Sequence, residues 1–242
     1  MAELLVSVRS LGEAQAALVA GAAVIDVKEP ARGSLGRADD ATIAAIIRET
    51  AGRRPVTAAM GELVERLPRF EEAGLSYLKW GLAGCGGRAQ WRAELAEAIA
   101  PVHKANASCR AVAAAYADWR RADAPLPEEV CAFACTHSCG AFLLDTWRKD
   151  GTTLLDWLAP AEVGRLCQTC RKAGIRVAIA GSLGPVQIRM LRALDPDWFA
   201  VRGAVCDGGR REQAIDAAAV ARLVELVGSP CGPMAEIDAP YH

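Results

Sequence analysis

Eight times along its length the chain passes from a short apolar, β-rich segment into a longer amphipathic one, and this repeat restricts the fold more than any single motif does. The strand candidates are 4–8 (LLVSV), 24–28 (VIDVK), 55–60 (PVTAAM), 77–82 (YLKWGL), 110–116 (RAVAAAY), 142–147 (FLLDTW), 177–182 (VAIAGS) and 199–204 (FAVRGA). Helix-like segments with apolar residues at three- and four-residue spacing follow at 12–20, 41–50, 69–74, 91–100, 128–138, 161–174, 186–194 and 215–227. Gly21, Gly74, Gly140 and Gly174 stand where a helix hands over to the next strand, the place of helix C-terminal glycines. Repeats of this number and length match a single α/β domain, a (β/α)8 TIM barrel, whose nearly continuous apolar strands suit a parallel sheet covered by helices. A doubly wound open sheet is the alternative. No Pro/Gly/Ser-rich linker divides the chain, so residues 1–228 read as one barrel catalytic domain, and 229–242, which lack helical periodicity, as an irregular tail.

Charge excludes several functions. With 28 basic and 29 acidic residues the net charge is -1, which gives no broad cationic field for nucleic acid or anionic lipid. The N-terminus has no basic region followed by a long apolar run, and no stretch approaches a membrane span, so a cytoplasmic protein free of the membrane is expected. Nine cysteines, an odd number in a chain long enough to fold without disulfides, also suit a reducing compartment.

Only five of the 28 basic residues are lysines, and three of these, Lys28, Lys79 and Lys149, stand at or just past strand ends. Arginine stays protonated, whereas a desolvated lysine amine loses its proton near neutral pH and attacks carbonyls. In a barrel of this type the active site lies at the C-terminal ends of the strands. Asp26 and Lys28, two apart on strand 2, point to the same side, the barrel interior. There a carboxylate beside an amine prepares a Schiff-base lysine. Asp145 and Lys149 form a second acid and amine pair after strand 6, suited to general acid/base steps. Gly181 and Ser182 after strand 7, with Arg202 and Gly203 after strand 8, occupy the places where many barrels bind phosphate. A phosphorylated small molecule is the expected substrate.

Three other signals carry less weight. Gly84 to Ala89 fits G-x-G-x-x-A, but no acidic residue ends the next strand, so a dinucleotide cofactor is not expected. Cys131, Cys135 and Cys139, at i, i+4 and i+8, read as a buried helix stripe against the sheet, and neither they nor Cys167 and Cys170 are assigned a metal. His103 and His137 lie on or beside outer helices and suit packing roles.

The segments 24–36 (VIDVKEPARGSLG), 77–82, 113–118 (AAAYAD), 143–158 (LLDTWRKDGTTLLDWL), 177–183 (VAIAGSL) and 201–209 (VRGAVCDGG) resemble the (5-formylfuran-3-yl)methyl phosphate synthase family. The likeness runs from about residue 4 to 226 and is carried by D-V-K-x-P-x-x-G-S-L-G and D-T-x-x-K-D-G-x-T-L. It implies a cofactor-free barrel lyase that condenses two molecules of glyceraldehyde 3-phosphate, a phosphorylated triose, into a furan aldehyde phosphate, losing phosphate and water, for methanofuran-type cofactor biosynthesis. By the family's pattern Lys28 is the Schiff-base lysine, Lys149 an acid/base lysine, Asp26 and Asp145 assist proton transfer, and Lys79 completes the cluster. The Cys-rich helices 5 and 6, Trp80, Trp119, Trp147, Trp157 and the longer tail depart from the archaeal pattern, which leaves a homo-oligomer open. Another lysine-imine aldolase or phosphosugar isomerase on the same barrel is the alternative reading, with a non-catalytic binding barrel behind it.

Overall fold

A computed structural model of the protein describes residues 1–67, 74–105 and 108–229, and in it eight parallel strands close in chain order into one barrel. The strands are β1 (Glu3–Val8), β2 (Val24–Val27), β3 (Val56–Glu62), β4 (Tyr77–Gly81), β5 (Arg110–Tyr116), β6 (Ala141–Asp145), β7 (Arg176–Ile179) and β8 (Trp198–Val201). Pairing of Glu3 through Val6 with Trp198 through Val201 joins the last strand to the first, which settles the fold as a closed barrel and not an open sheet. The described helices are α1 (Leu11–Val19), α2 (Asp40–Thr50), α3 (Trp91–Ala105), α4 (Trp119–Ala122), α5 (Pro127–Thr136), α6 (Pro160–Lys172), α7 (Pro185–Leu191) and α8 (Ala217–Gly228). The helix expected at 69–74, apart from Gly74, and the tail from residue 230 lie outside the described residues, as do the side chains of 103–105. No described helix is long and apolar enough to cross a membrane.

The period of two along each strand sorts the side chains into two cores. Val6, Ile25, Val27, Ala58, Leu78, Phe142, Leu144, Ile179 and Phe199 face outward and pack with helix residues such as Ala14, Ile43, Ile46, Leu95, Phe133, Val163 and Leu223. Leu5, Val24, Val112, Ala141, Leu143, Ala178 and Trp198 face inward. Tyr77 and Trp198, each at the start of its strand, meet edge to face at 5.6 Å and 73° and close the floor of the barrel. Ala178, level with Trp198, and Ala180 and Ala200 above it leave the upper interior open for longer polar side chains from β2, β4 and β6.

Several strands stop earlier than their apolar runs imply. β6 ends at Asp145, β7 at Ile179 and β8 at Val201, because the polar and glycine residues that follow turn away into loops at the barrel mouth. Gly21, Gly74 and Gly174 have φ of 90°, 111° and 71°, the left-handed geometry expected after a helix. Gly140 does not. It enters β6 where a Cβ would lie 2.5 Å from Cβ of Arg110, so close approach at the barrel floor explains it.

Removing the floor should be costly. Trp198→Ala is expected to lower the free energy of unfolding by about 3–5 kcal/mol, the usual cost of an emptied aromatic core site, as read by urea or thermal denaturation.

Candidate active site

Asp26 lies on β2 with Lys28 just past its end, Lys79 comes from β4, and Asp145 ends β6 with Lys149 four residues on; all five line one cavity of about 460 Å3 at the barrel mouth. They are linked in an order that spacing along the chain does not show. Lys79 Nζ donates to Asp26 Oδ1 at 2.5 Å, and Ser7 Oγ donates to Asp26 Oδ2 at 2.8 Å. Asp26 is therefore held by β4 and β1 and is not hydrogen-bonded to Lys28, its neighbour on β2. Lys149 Nζ donates to Asp145 Oδ1 at 2.6 Å and to Thr146 Oγ1 at 3.0 Å. The Thr146 amide supports the same carboxylate oxygen at 2.8 Å, and the Ser34 hydroxyl lies 3.3 Å from Asp145 Oδ2 and 2.8 Å from the Thr146 carbonyl.

Lys28 is left over. It is buried, with 7% of its surface exposed, and although its backbone amide donates to the Val8 carbonyl, its side-chain amine makes no hydrogen bond or ion pair among the described residues. Burial, opposed by the charges of Asp145 and then Asp26 and assisted by the nearby Lys79 and Lys149, brings its amine from the ordinary 10.5 down to about 7. At Asp145, burial opposes ionisation, but Lys149 and then Lys28, with the hydrogen bonds from Lys149 and Thr146, overcome it and hold the carboxyl at about 2. The site thus presents one amine able to shed its proton near neutrality beside two carboxylate and ammonium pairs.

Glycine-rich turns after β7 and β8 also line the cavity. Gly181 (φ 100°) and Ser182 (φ 53°) are both left-handed, and a Cβ on Gly181 would stand 3.0 Å from Cβ of Leu154. On the neighbouring loop after β8, Gly203 and Ala204 open a single helical turn, and their amides make no hydrogen bond among the described residues. Arg202 is engaged elsewhere. Its guanidinium forms a two-pronged ion pair with buried Glu13 (2.8 and 3.2 Å) and donates to the carbonyls of Ser7, Arg211 and Gln213. Arg202 therefore ties the 209–213 loop to β1 and α1, and that loop brings both Arg210 and Arg211 to the cavity. Arg211 donates to the Gly33 carbonyl at 3.0 Å, and burial draws its pKa below the usual arginine value.

Sequence reasoning misses Arg211, Ser7, Ser34 and Thr146. Arg211 had a signal in the run Asp207-Gly208-Gly209-Arg210-Arg211 directly after a phosphate-type turn; Ser7, at an inward position of β1, had its alternation. A part-buried pair beside the site, Tyr116 donating to Glu62 Oε1 at 2.6 Å, had none, since the two lie on different strands. Burial raises the Glu62 carboxyl against the hydrogen bonds from Tyr116 and the Ala83 amide.

The buried amine has a consequence for stability. Below about pH 7 the folded and unfolded states both hold the Lys28 proton, and the full cost of burying the charge is present. Between there and 10.5 the unfolded chain binds the additional proton, so this group's contribution to stability rises with pH. Lys28→Met should therefore stabilise the fold by about 2–4 kcal/mol near pH 6, and by progressively less toward about pH 9, as followed by thermal unfolding across that range.

The family whose sequence pattern matches residues 4–224 is described as 4-HFC-P synthase. The (5-formylfuran-3-yl)methyl phosphate synthase of Methanopyrus kandleri is 34% identical over 232 residues, covering 93% of this chain and 98% of its own. That of Methanocaldococcus jannaschii is 33% identical over 231 residues, covering 92% and 98%. Among solved structures, phosphoribosyl anthranilate isomerase from Thermus thermophilus superposes with a TM-score of 0.61 at 19% identity, covering 93% of this chain and 98% of that one. The 3-hexulose-6-phosphate synthase from Salmonella typhimurium gives 0.59 at 14%, covering 93% and 99%. These two speak to the barrel fold alone. The sequence relatives go further: with one third of residues shared over nearly the whole length of both chains, this chain belongs to the (5-formylfuran-3-yl)methyl phosphate synthase family of enzymes.

Proposed function

We propose that the protein condenses two molecules of glyceraldehyde 3-phosphate into (5-formylfuran-3-yl)methyl phosphate, as a cytoplasmic Schiff-base lyase supplying methanofuran-type cofactor biosynthesis. The observation that carries this reading is the buried Lys28 amine, unpaired and with a pKa brought to about 7, between two lysine and aspartate pairs. A neutral Lys28 amine adds to the aldehyde carbon of one triose and expels water, forming an imine. The imine draws electrons from the adjacent carbon, so that carbon gives up a proton and the phosphate ester on the next carbon leaves as inorganic phosphate. Carbon 3 of that triose, now nucleophilic, adds to carbon 2 of the second triose once the latter has isomerised to its ketone, and ring closure with loss of two waters, followed by hydrolysis of the imine, releases the furan and frees Lys28.

Lys149 and Asp145 serve as the proton shuttle for these steps. They form a short charge-assisted pair in which a proton can be lent and returned without leaving the site. Lys79 and Asp26 fix the electrostatics of the opposite wall, and Ser7 holds the Asp26 carboxylate in place. The retained phosphate lies against the Gly181-Ser182 turn, the free amides of Gly203 and Ala204, and the Arg211 guanidinium. Arg202 contributes by holding the loop that carries Arg211.

The test is incubation with glyceraldehyde 3-phosphate as sole substrate, where an ultraviolet-absorbing furan aldehyde and inorganic phosphate are expected. An aldolase or isomerase of the same fold would make no aromatic product. Borohydride added during turnover should fix substrate on Lys28, and peptide mapping that finds the adduct mainly on Lys79 or Lys149 would overturn the assignment. The acid limb of kcat/KM should fall as pH drops through about 7, where Lys28 becomes protonated.

Lys149→Arg keeps the positive charge facing Asp145, but guanidinium does not release a proton near neutrality. Activity should drop about 10²–10⁴-fold, the usual cost of losing a general acid/base group, and Lys149→Met should drop by a similar factor. Near-normal turnover by the arginine variant, with the methionine variant inactive, would reduce Lys149 to an electrostatic role.

A further inference from the structure

Eight cysteines lie among the described residues, all as free thiols, and three of them meet on the outside of the barrel. Cys131 and Cys135 stand one turn apart on α5, and Cys170 reaches them from α6, which packs alongside. Sγ of Cys131 lies 3.4 Å from Sγ of Cys170, and the sulfurs of all three fall within 4.8 Å of one another. Cys131 and Cys170 are buried, while Cys135 is partly open to solvent. This corrects the reading of Cys131, Cys135 and Cys139 as one stripe against the sheet. α5 ends at Thr136, so Cys139 lies beyond it, with its amide on the Ala134 carbonyl. Cys131 and Cys135 turn sideways to the neighbouring helix.

Convergence of three thiols is poorly explained as packing, since S–H groups are weak hydrogen-bond partners and three larger aliphatic side chains would fill a helix seam as well. It fits a soft metal ion. At a zinc–sulfur distance of about 2.3 Å, two thiolates on one tetrahedral ion are about 3.8 Å apart, a separation that the spacing here brackets. Charge selects between thiophilic ions: three thiolates leave a net single negative charge around a divalent ion and two around a monovalent one, in a seam with little water to screen it. We propose that Cys131, Cys135 and Cys170 bind one Zn²⁺ that ties α5 to α6, with the fourth coordination position facing solvent beside Cys135. Binding replaces three S–H protons with three zinc–sulfur bonds and releases the protons to solvent. No electrons change hands. Because the fourth position is open, the ion can enter and leave the folded protein, unlike one in a closed four-ligand site.

The site lies on the barrel's outer surface, and its test does not involve the furan chemistry. The full chain, reduced and stripped with chelator, is titrated with Zn²⁺, then desalted and assayed for metal. One zinc per chain is expected, with three thiols fewer reacting with an aromatic disulfide reagent and a thermal midpoint that rises with zinc concentration. Co²⁺ in its place should give sulfur-to-cobalt charge-transfer absorption. Cys135→Ser, at the partly exposed position where folding is least at risk, should weaken zinc binding by more than the roughly 10–100-fold cost of losing an outer-shell partner, and Cys170→Ser should abolish stoichiometric retention. Cys167→Ala, which removes the other α6 thiol, should retain it. Failure of the reduced protein to hold zinc would overturn the proposal. So would undiminished binding by Cys135→Ser and Cys170→Ser, or a Cys131 to Cys170 disulfide as the stable form of a protein that takes up no metal when reduced.

Discussion

Three amines and two carboxylates are gathered in the upper barrel, and that imbalance governs the site. Asp26 and Asp145 can each compensate one ammonium, and each does so at close range, for Lys79 and Lys149. A third ammonium would be an unpaired charge in a closed interior, and the less costly solution is to lose its proton. Lys28, without a direct partner, is the amine that does so. An amine able to shed its proton near neutrality is thus produced by the arithmetic of charge and burial. The same two pairs that stabilise the barrel mouth, by claiming both carboxylates, also keep Lys28 from being captured by either.

This arrangement needs room and a rigid frame. Room comes from the alanines on the inner faces of β7 and β8, which leave open the cavity that the lysine side chains line, above a floor sealed by Tyr77 and Trp198. Rigidity comes from the Arg202 and Glu13 pair, in which one buried guanidinium joins β1, α1, the end of β8 and the 209–213 loop. Such a pair is weak evidence of net stability, because desolvation offsets much of its Coulomb energy. Its clearer effect is geometric: the loop that places Arg211 over the cavity is held by hydrogen bonds from Arg202 to the carbonyls of Arg211 and Gln213.

The barrel and the identity of its polar cluster were legible in the sequence because both rest on local signals. The period of two put Asp26 and Lys28 on one side of β2, and strand ends located Lys79, Asp145 and Lys149. The pairing was not legible. Asp26 meets Lys79, 53 residues away, through the closure and tilt of the strands, and no spacing along β2 reports that. Arg202 was placed correctly at the mouth, but the use of its donors depended on Glu13, whose inward aim reads from sequence as an ordinary acidic residue in a first helical turn. The cysteines on α5 and α6 show the same limit, since i and i+4 spacing predicts a shared face without saying whether that face meets the sheet or a neighbouring helix.

The division of labour between the two basic residue types follows from the same physics. Arginines carry the charges that must stay on: Arg202 in its buried pair, Arg211 over the cavity, and Arg92, Arg120 and Arg148 stacked on the indoles of Trp91, Trp119 and Trp147. Each of these positions uses a planar cation that burial or stacking does not neutralise. Three of the five lysines, Lys28, Lys79 and Lys149, line the barrel cavity instead. Lysine at the Arg202 position would supply three donors in place of five and lose the fork that grips Glu13. Arginine at position 28 would remain charged and unable to attack. The chain's strong preference for arginine elsewhere thus makes the three interior lysines a chemical choice made by the fold, with proton mobility as the property that distinguishes them.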